Sequence, residues 1–156
     1  MGMFRRNKII LKLEKFDYTP GETIKGGFTI DLKKVYTIRK IQVSLIGSRK
    51  ERHINGEGEA DYHFVNVFDF KLPIAPEGEY QYQQFHFEIK IPSNILNQSK
   101  EPIDIDTDTT LGKIQHIARS MSTTDVYPVE WLVEVHLDIP KKFDLRESQE
   151  IILSAN

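Results

Sequence analysis

The run Asp104-Ile105-Asp106-Thr107-Asp108 is the nearest this chain comes to a cation-binding motif. Hard cations such as Ca²⁺ require several carboxylate oxygens within one loop. An EF-hand would need Gly where Thr109 stands and Glu where Gln115 stands, so that motif is absent. Alternation of the aspartates with Ile103 and Ile105 reads instead as a solvated acidic strand or a lead-in to a helix, whose positive end the carboxylates would suit. His53, His63, His86, His116 and His136 are scattered, and no two have the i, i+2 or i, i+4 spacing that presents paired ligands from one element. Ser120 and Ser122 flank Met121, but no Gly-x-Ser-x-Gly elbow surrounds either serine. These patterns point away from catalysis, and neither a metal nor a cofactor is expected.

The aromatic residues carry more information. Tyr80, Tyr82, Phe85, Phe87 and Trp131 have the types that build a sugar-stacking platform or a peptide groove. Phe85, Phe87 and Trp131 share the apolar parity of their segments, which assigns them to a core. Tyr80 and Tyr82 have the opposite parity, which turns them outward. A carbohydrate-binding module that uses Tyr80, Tyr82 or Trp131 is therefore the alternative to a protein-binding role. The basic run Arg5, Arg6 and Lys8 reads as a solvated terminus.

Composition bounds the remaining classes. At 156 residues the chain has the size of one domain, and a single domain over 1–156 is expected. A net charge of -2 gives no global field for nucleic acid or an acidic membrane surface. The absence of cysteine removes disulfides and thiolate chemistry and fits a reducing compartment. No window approaches the ~20 apolar residues of a membrane-spanning helix, and Lys12, Glu14 and Lys15 interrupt any signal-peptide core, so a cytoplasmic protein is expected. Met1-Gly2 fails as a myristoylation signal because the sixth residue is Arg6.

Period-2 alternation recurs along the chain and predicts half-buried strands. The apolar faces are Ile9, Leu11 and Leu13; Ile24, Phe28, Ile30 and Leu32, with a bulge or close approach at Gly26; Ile41, Val43 and Leu45; Phe64, Phe68, Phe70 and Leu72; Phe85, Phe87, Ile89 and Ile91; Val129 to Ile139; and Ile151 with Leu153. Seven strands separated by turn signals predict an antiparallel, immunoglobulin-like β-sandwich. Between the first two strands, Pro20 and Gly21 supply the backbone angles of a type II turn. Two connections stand out. Arg49 to Asp61, which contains Asn55-Gly56, reads as a mobile hairpin loop. Ser93 to Asp125 exceeds ordinary loop length, and Leu111, Ile114, Ile117 and Ala118 predict one short helix over Leu111 to Ser120.

The ordered set Tyr18-Thr19-Pro20-Gly21-Glu22, Gly26, Ile41-Gln42-Val43-Ser44-Leu45, Phe85 to Asn94 and Trp131 to Ile139, continued by Asp144 and Ile151-Ile152-Leu153, resembles the amino-terminal domain of arrestin-like proteins. It is nearest in pattern to the sporulation-control proteins of bacteria and archaea. The resemblance implies an arrestin-type sandwich and a non-enzymatic adaptor or scaffold that binds other proteins. The residues assigned to partner binding on this reading are Arg49, Arg52 and His53 in the first long loop, Tyr80 and Tyr82, and Ile152. The last strand, Ser148 to Ser154, carries only Glu150 as a charge and reads as an unprotected sheet edge, through which the chain is expected to engage a partner or itself.

Overall fold

The computed structural model describes residues 6–96, 127–142 and 144–155. The aspartate run at 104–108 and the helix expected over Leu111 to Ser120 lie outside them. Among the described residues eight strands follow in order: β1 (Lys8–Leu13), β2 (Asp17–Tyr18), β3 (Thr23–Ile38), β4 (Lys40–Ile54), β5 (Ala60–Ala75), β6 (Gly78–Lys90), β7 (Val129–Asp138) and β8 (Leu145–Leu153). They form a three-stranded sheet in the order β1-β3-β6 and a five-stranded sheet in the order β2-β8-β7-β4-β5. The chain changes sheets at short links, Arg39 between β3 and β4 and Pro76-Glu77 between β5 and β6. Arg39 closes its corner by donating its backbone N–H to the Asp138 carbonyl at 2.8 Å and its guanidinium to the Asp138 carboxylate at 2.8 and 2.9 Å.

The core follows the alternation. Ile9, Ile24, Phe28, Ile30, Phe87 and Ile89 from the small sheet are buried in one cluster with Ile41, Val43, Leu45, Trp131, Val133, Val135 and Leu137 from the large one. At about 1.5–3 kcal/mol per fully buried apolar side chain, this two-sided cluster dominates the stability of the sandwich. Trp131 is 4% exposed, with its ring 5.9 Å from that of Phe68 and its indole lying over Gly47. A platform role for Trp131 is thereby excluded, because the indole has no face left to offer a sugar.

The turn after β2 holds the entry to β3. Glu22 N–H donates to the Thr19 carbonyl at 3.1 Å and Gly21 has φ 92°, the geometry of a type II turn. The residues around it explain the rest of the motif. The Glu22 carboxylate accepts from Thr19 N–H at 2.6 Å and from the Lys15 ammonium at 2.5 Å. Tyr18 is buried and donates its hydroxyl to the Lys15 carbonyl. The turn is tied to the end of β6 by Gly21 N–H to Ile91 O and Ile91 N–H to Glu22 O. The Lys15 hydrogen bond, with the Thr19 N–H, holds the Glu22 carboxyl below the usual carboxylate range, and burial pushes the Tyr18 hydroxyl up.

Two expectations change, and of the two alternatives at Gly26 one holds. Gly26 is a close approach and not a bulge: a Cβ there would lie 2.8 Å from the Lys12 carbonyl and 2.9 Å from the Phe87 ring, and the irregularity of β3 falls between Asp31 and Tyr36. The segment Arg49 to Asp61 is mostly paired strand, with β4 and β5 continuing to Ile54 and from Ala60 and only 55–59 turning. The last strand is no free edge along its final residues. β8 is flanked by β7 and, at Ile152 and Leu153, by the parallel bridge to Asp17 and Tyr18, reinforced by Ile152 N–H to Phe16 O at 2.8 Å.

Candidate functional site

Beyond Gly47 the β4–β5 hairpin grows out of the sandwich. β7 accompanies β4 only as far as Val129, which opposes Arg49. From Lys50 to the turn, the ladder consists of β4 and β5 alone among the described residues. The paired stretch from Ser48 to Ile54 makes an arm about 23 Å long at ~3.3 Å per residue. Its turn is built from local chemistry. The Asn55 carboxamide oxygen accepts from the N–H groups of Glu57 and Glu59 at 3.0 and 2.9 Å, and Gly58 takes φ 82°. An Asx turn followed by a left-handed glycine closes a short hairpin without strain.

The register Arg52↔Tyr62, Lys50↔Phe64 and His53↔Asp61, Glu51↔His63 sorts the arm into two faces. On one, the Lys50 ammonium sits 4.5 Å from the centre of the Tyr62 ring and 5.2 Å from that of Tyr127, and the two tyrosines meet edge to face at 6.2 Å. On the other, the rings of His53 and His63 lie 5.1 Å apart, His63 pairs with Asp61 at 3.1 Å, and Arg49 donates to Glu51 at 3.1 Å. Among the described residues no group of three or more histidine and acidic side chains could hold a metal ion. Ile54, Tyr62, Phe64 and Val65 are all exposed on this arm, Phe64 to 64%. Phe64, a large apolar side chain two-thirds in water, thus stands on β5, the last strand of its sheet among the described residues.

The residues expected to bind a partner divide between surfaces. Arg49, Arg52 and His53 come together on the arm, Arg49 and His53 on one face and Arg52 on the other. Tyr80 is not outward: its ring packs beside Phe85 at 6.2 Å and its hydroxyl donates to the Pro76 carbonyl. The shift of register between Asp31 and Tyr36 in the neighbouring strand reverses the parity that the alternation implied. Tyr82 is exposed on β6, in the other sheet, and Ile152 is exposed on β8, separated from β5 by β7 and β4. The sequence reading passed over Ile54, Tyr62, His63 and Phe64. The signal that finds them is the turn around Asn55-Gly56: folding the segment about residue 57 sets His53 opposite Asp61 and next to His63.

A second polar cluster covers the outer face of the large sheet. The Gln42 carboxamide donates to His136 Nδ1 at 3.4 Å, which leaves His136 Nε2–H to donate to the Asp144 carboxylate at 2.9 Å. That hydrogen bond holds the Asp144 carboxyl below its ordinary range. A histidine–aspartate pair would serve a nucleophile, but the nearby serines, Ser44 and Ser148, oppose Glu134 in the ladder and not His136. The cluster welds β4, β7 and the start of β8.

Comparison with known proteins agrees with this architecture. Spo0M, the sporulation control protein from Bacillus subtilis, superposes with a TM-score of 0.61 at 21% identity over 98% of this chain and 51% of that one. The alkylpurine DNA glycosylase AlkC of Pseudomonas fluorescens, bound to DNA containing an abasic site analog, gives a TM-score of only 0.37 at 17% identity, over 96% of this chain and 31% of that one, too low to bear on the fold. The chain thus spans about half the length of Spo0M and less of AlkC. No curated protein matches it. The family model for the arrestin (or S-antigen) C-terminal domain matches residues 7–155, so the domain assignment carried by the match is the carboxyl-terminal one and not the amino-terminal one that the Tyr18–Glu22 motif resembled. With two sheets packed through a shared apolar core and a match over nearly its whole length, the chain belongs to the arrestin C-terminal domain family.

Proposed function

We propose that this protein is a non-enzymatic adaptor that captures a protein partner by strand addition along β5. The observation that carries the reading is β5 itself: a 16-residue strand at the end of a five-stranded sheet among the described residues, with Tyr62, Phe64, Val65 and Phe70 exposed along it. An incoming strand would satisfy outward-facing backbone groups, which gives affinity, while the alternating side chains select its sequence. Arg52, Tyr62 and Phe64 would meet one face of that strand, and His53, Asp61 and His63 the other. Among the described residues no helix is long and apolar enough to cross a membrane, which is compatible with a partner met in solution. Within the arrestin family, the Tyr18–Glu22 turn supports a place near the sporulation-control proteins.

The test is affinity capture with the parent protein and with Phe64→Lys as bait, followed by direct titration of whatever the parent retains. A lysine on an edge strand opposes strand addition without touching the core. Loss of binding in a variant with a parental melting curve is the expected result. Parental affinity in the folded variant would remove β5 as the recognition surface.

A further inference from the structure

The two halves of β5 differ in how they treat an approaching strand. Between Val67 and Ala75 the edge is obstructed: Val67 is an extra residue opposite the Gly47–Ser48 step, Asp69 and Lys71 place charges, and Pro73 removes a donor. Ala60 to Asn66 has no bulge, no proline and no lysine, and it pairs in unbroken register with Ser48 to Ile54. All seven of its residues are exposed. Among the described residues, the unprotected edge of this sheet is therefore this short stretch, Ala-Asp-Tyr-His-Phe-Val-Asn.

We infer, resting on the strand-addition reading above, that the occupant of this edge is a second copy of the same chain, paired antiparallel through Ala60 to Phe64 with Tyr62 on the two-fold axis.

The side chains select that register. A two-fold through His63 would place the two imidazoles opposite each other, and Asp61 opposite Val65 of the second copy. One through Phe64 would set Asp61 against the bulged Val67. A two-fold through Tyr62 instead puts Asp61 opposite His63 of the second copy, and His63 opposite its Asp61, on the face that already carries Glu51 and His53. On the other face it puts Phe64 opposite Ala60, large against small, on either side of the paired Tyr62 rings. The Asp61–His63 hydrogen-bonding pairs and the volumes are both self-complementary, as an isologous interface requires. The result joins two five-stranded sheets into one of ten strands.

The chain contains no cysteine, so a single introduced thiol reports the geometry directly. Residues opposed across an antiparallel pair have Cα atoms about 4.5–5.5 Å apart, within disulfide range. Tyr62→Cys is expected to give disulfide-linked dimers under mild oxidation, and Ile152→Cys, more exposed and on another strand, is not. Sedimentation over a concentration series is expected to show a monomer–dimer equilibrium that Phe64→Lys shifts to monomer. Asp61→His should weaken the dimer about twofold to thirtyfold by losing two cross-strand hydrogen-bonding pairs, and Asp61→His combined with His63→Asp should restore it. A parent protein that stays monomeric at hundreds of micromolar overturns the inference. So does oxidation of Tyr62→Cys no faster than that of Ile152→Cys. If the parent is monomeric while Phe64→Lys still loses a captured partner, strand addition stands and only the identity of the occupant fails.

Discussion

Replacing Gly47 by alanine tests the packing of the large sheet at its tightest point. A Cβ on Gly47 would lie 2.6, 2.8 and 2.9 Å from Cζ3, Cη2 and Cε3 of Trp131, against the 3.5–4.0 Å at which carbon atoms attract. Relief requires a shift of close to 1 Å. The indole is poorly placed to supply it, since Trp131 is 4% exposed and is flanked by Phe68. Overpacking of this kind costs about 1–3 kcal/mol, whereas the entropy of the unfolded chain favours alanine over glycine by about 0.4–1 kcal/mol. The net expectation is a loss of about 1–2 kcal/mol, or about 2–8 °C in melting temperature for a domain of this size. Urea unfolding followed by far-ultraviolet circular dichroism, which needs no tryptophan, measures it in every background. A double-mutant cycle removes the ambiguity of a single value. Trp131→Leu alone leaves a cavity, and Gly47→Ala should be neutral or stabilising in that background, giving a favourable coupling of about 1 kcal/mol or more. Gly47→Ala at parental stability, or equal effects in both backgrounds, would show that the glycine is not there to admit the indole.

Gly21→Val should destabilise by about 1 kcal/mol or more, because a β-branched residue resists φ 92°; an unchanged thermal midpoint would contradict the turn geometry. Trp131→Ala should cost about 3–5 kcal/mol, enough to unfold a marginal domain, and soluble, cooperatively folding protein of near-parental stability would place the indole at the surface. Glu22 has a folded-state carboxyl below its unfolded value, so its contribution is present above the unfolded pKa and disappears as pH falls through the folded one; Glu22→Gln should flatten the acid limb of the stability–pH curve, read by thermal melts from neutral pH downward, and an unaltered limb would mean the Lys15 and Thr19 contacts are not made.

The sandwich was legible in the sequence because alternation is a local property, and burial converts it into faces. Phe87, Ile89, Trp131, Val133 and Val135 each lie where parity puts them, since no residue is inserted among them. Parity failed where an extra residue entered a strand. Phe64 and Phe68 share a parity, yet Val67 is unmatched in the β5 ladder, so Phe68 packs on Trp131 and Phe64 turns outward. Tyr80 was misplaced for the same reason, by the irregularity in β3 beside it. A bulge leaves little mark on composition, and neither Val67 nor the Lys33-Lys34-Val35 stretch breaks the alternating pattern visibly.

The arm was hidden by a different confusion, between polarity and disorder. Arg-Lys-Glu-Arg-His-Ile reads as loop because strands are recognised by an apolar face packed on a core, and among the described residues this hairpin has no core beneath it. What holds it is the register imposed at its two ends, by the Asx turn at Asn55 and by β7 up to Arg49, together with cross-strand pairs such as Lys50 over Tyr62. Such pairs are worth only about 0.2–1 kcal/mol each, so the arm stands near the limit of what a two-stranded ribbon can sustain in water. A third strand on β5 would bring it well inside that limit. The same marginal stability that makes the segment look like a loop in sequence is what makes added strands favourable, because binding there both orders the arm and covers Phe64. Stability of the arm and occupancy of its edge are therefore linked quantities, and hydrogen exchange at Lys50 to Phe64 should slow in proportion to the occupied fraction while exchange in the β7 core stays unchanged.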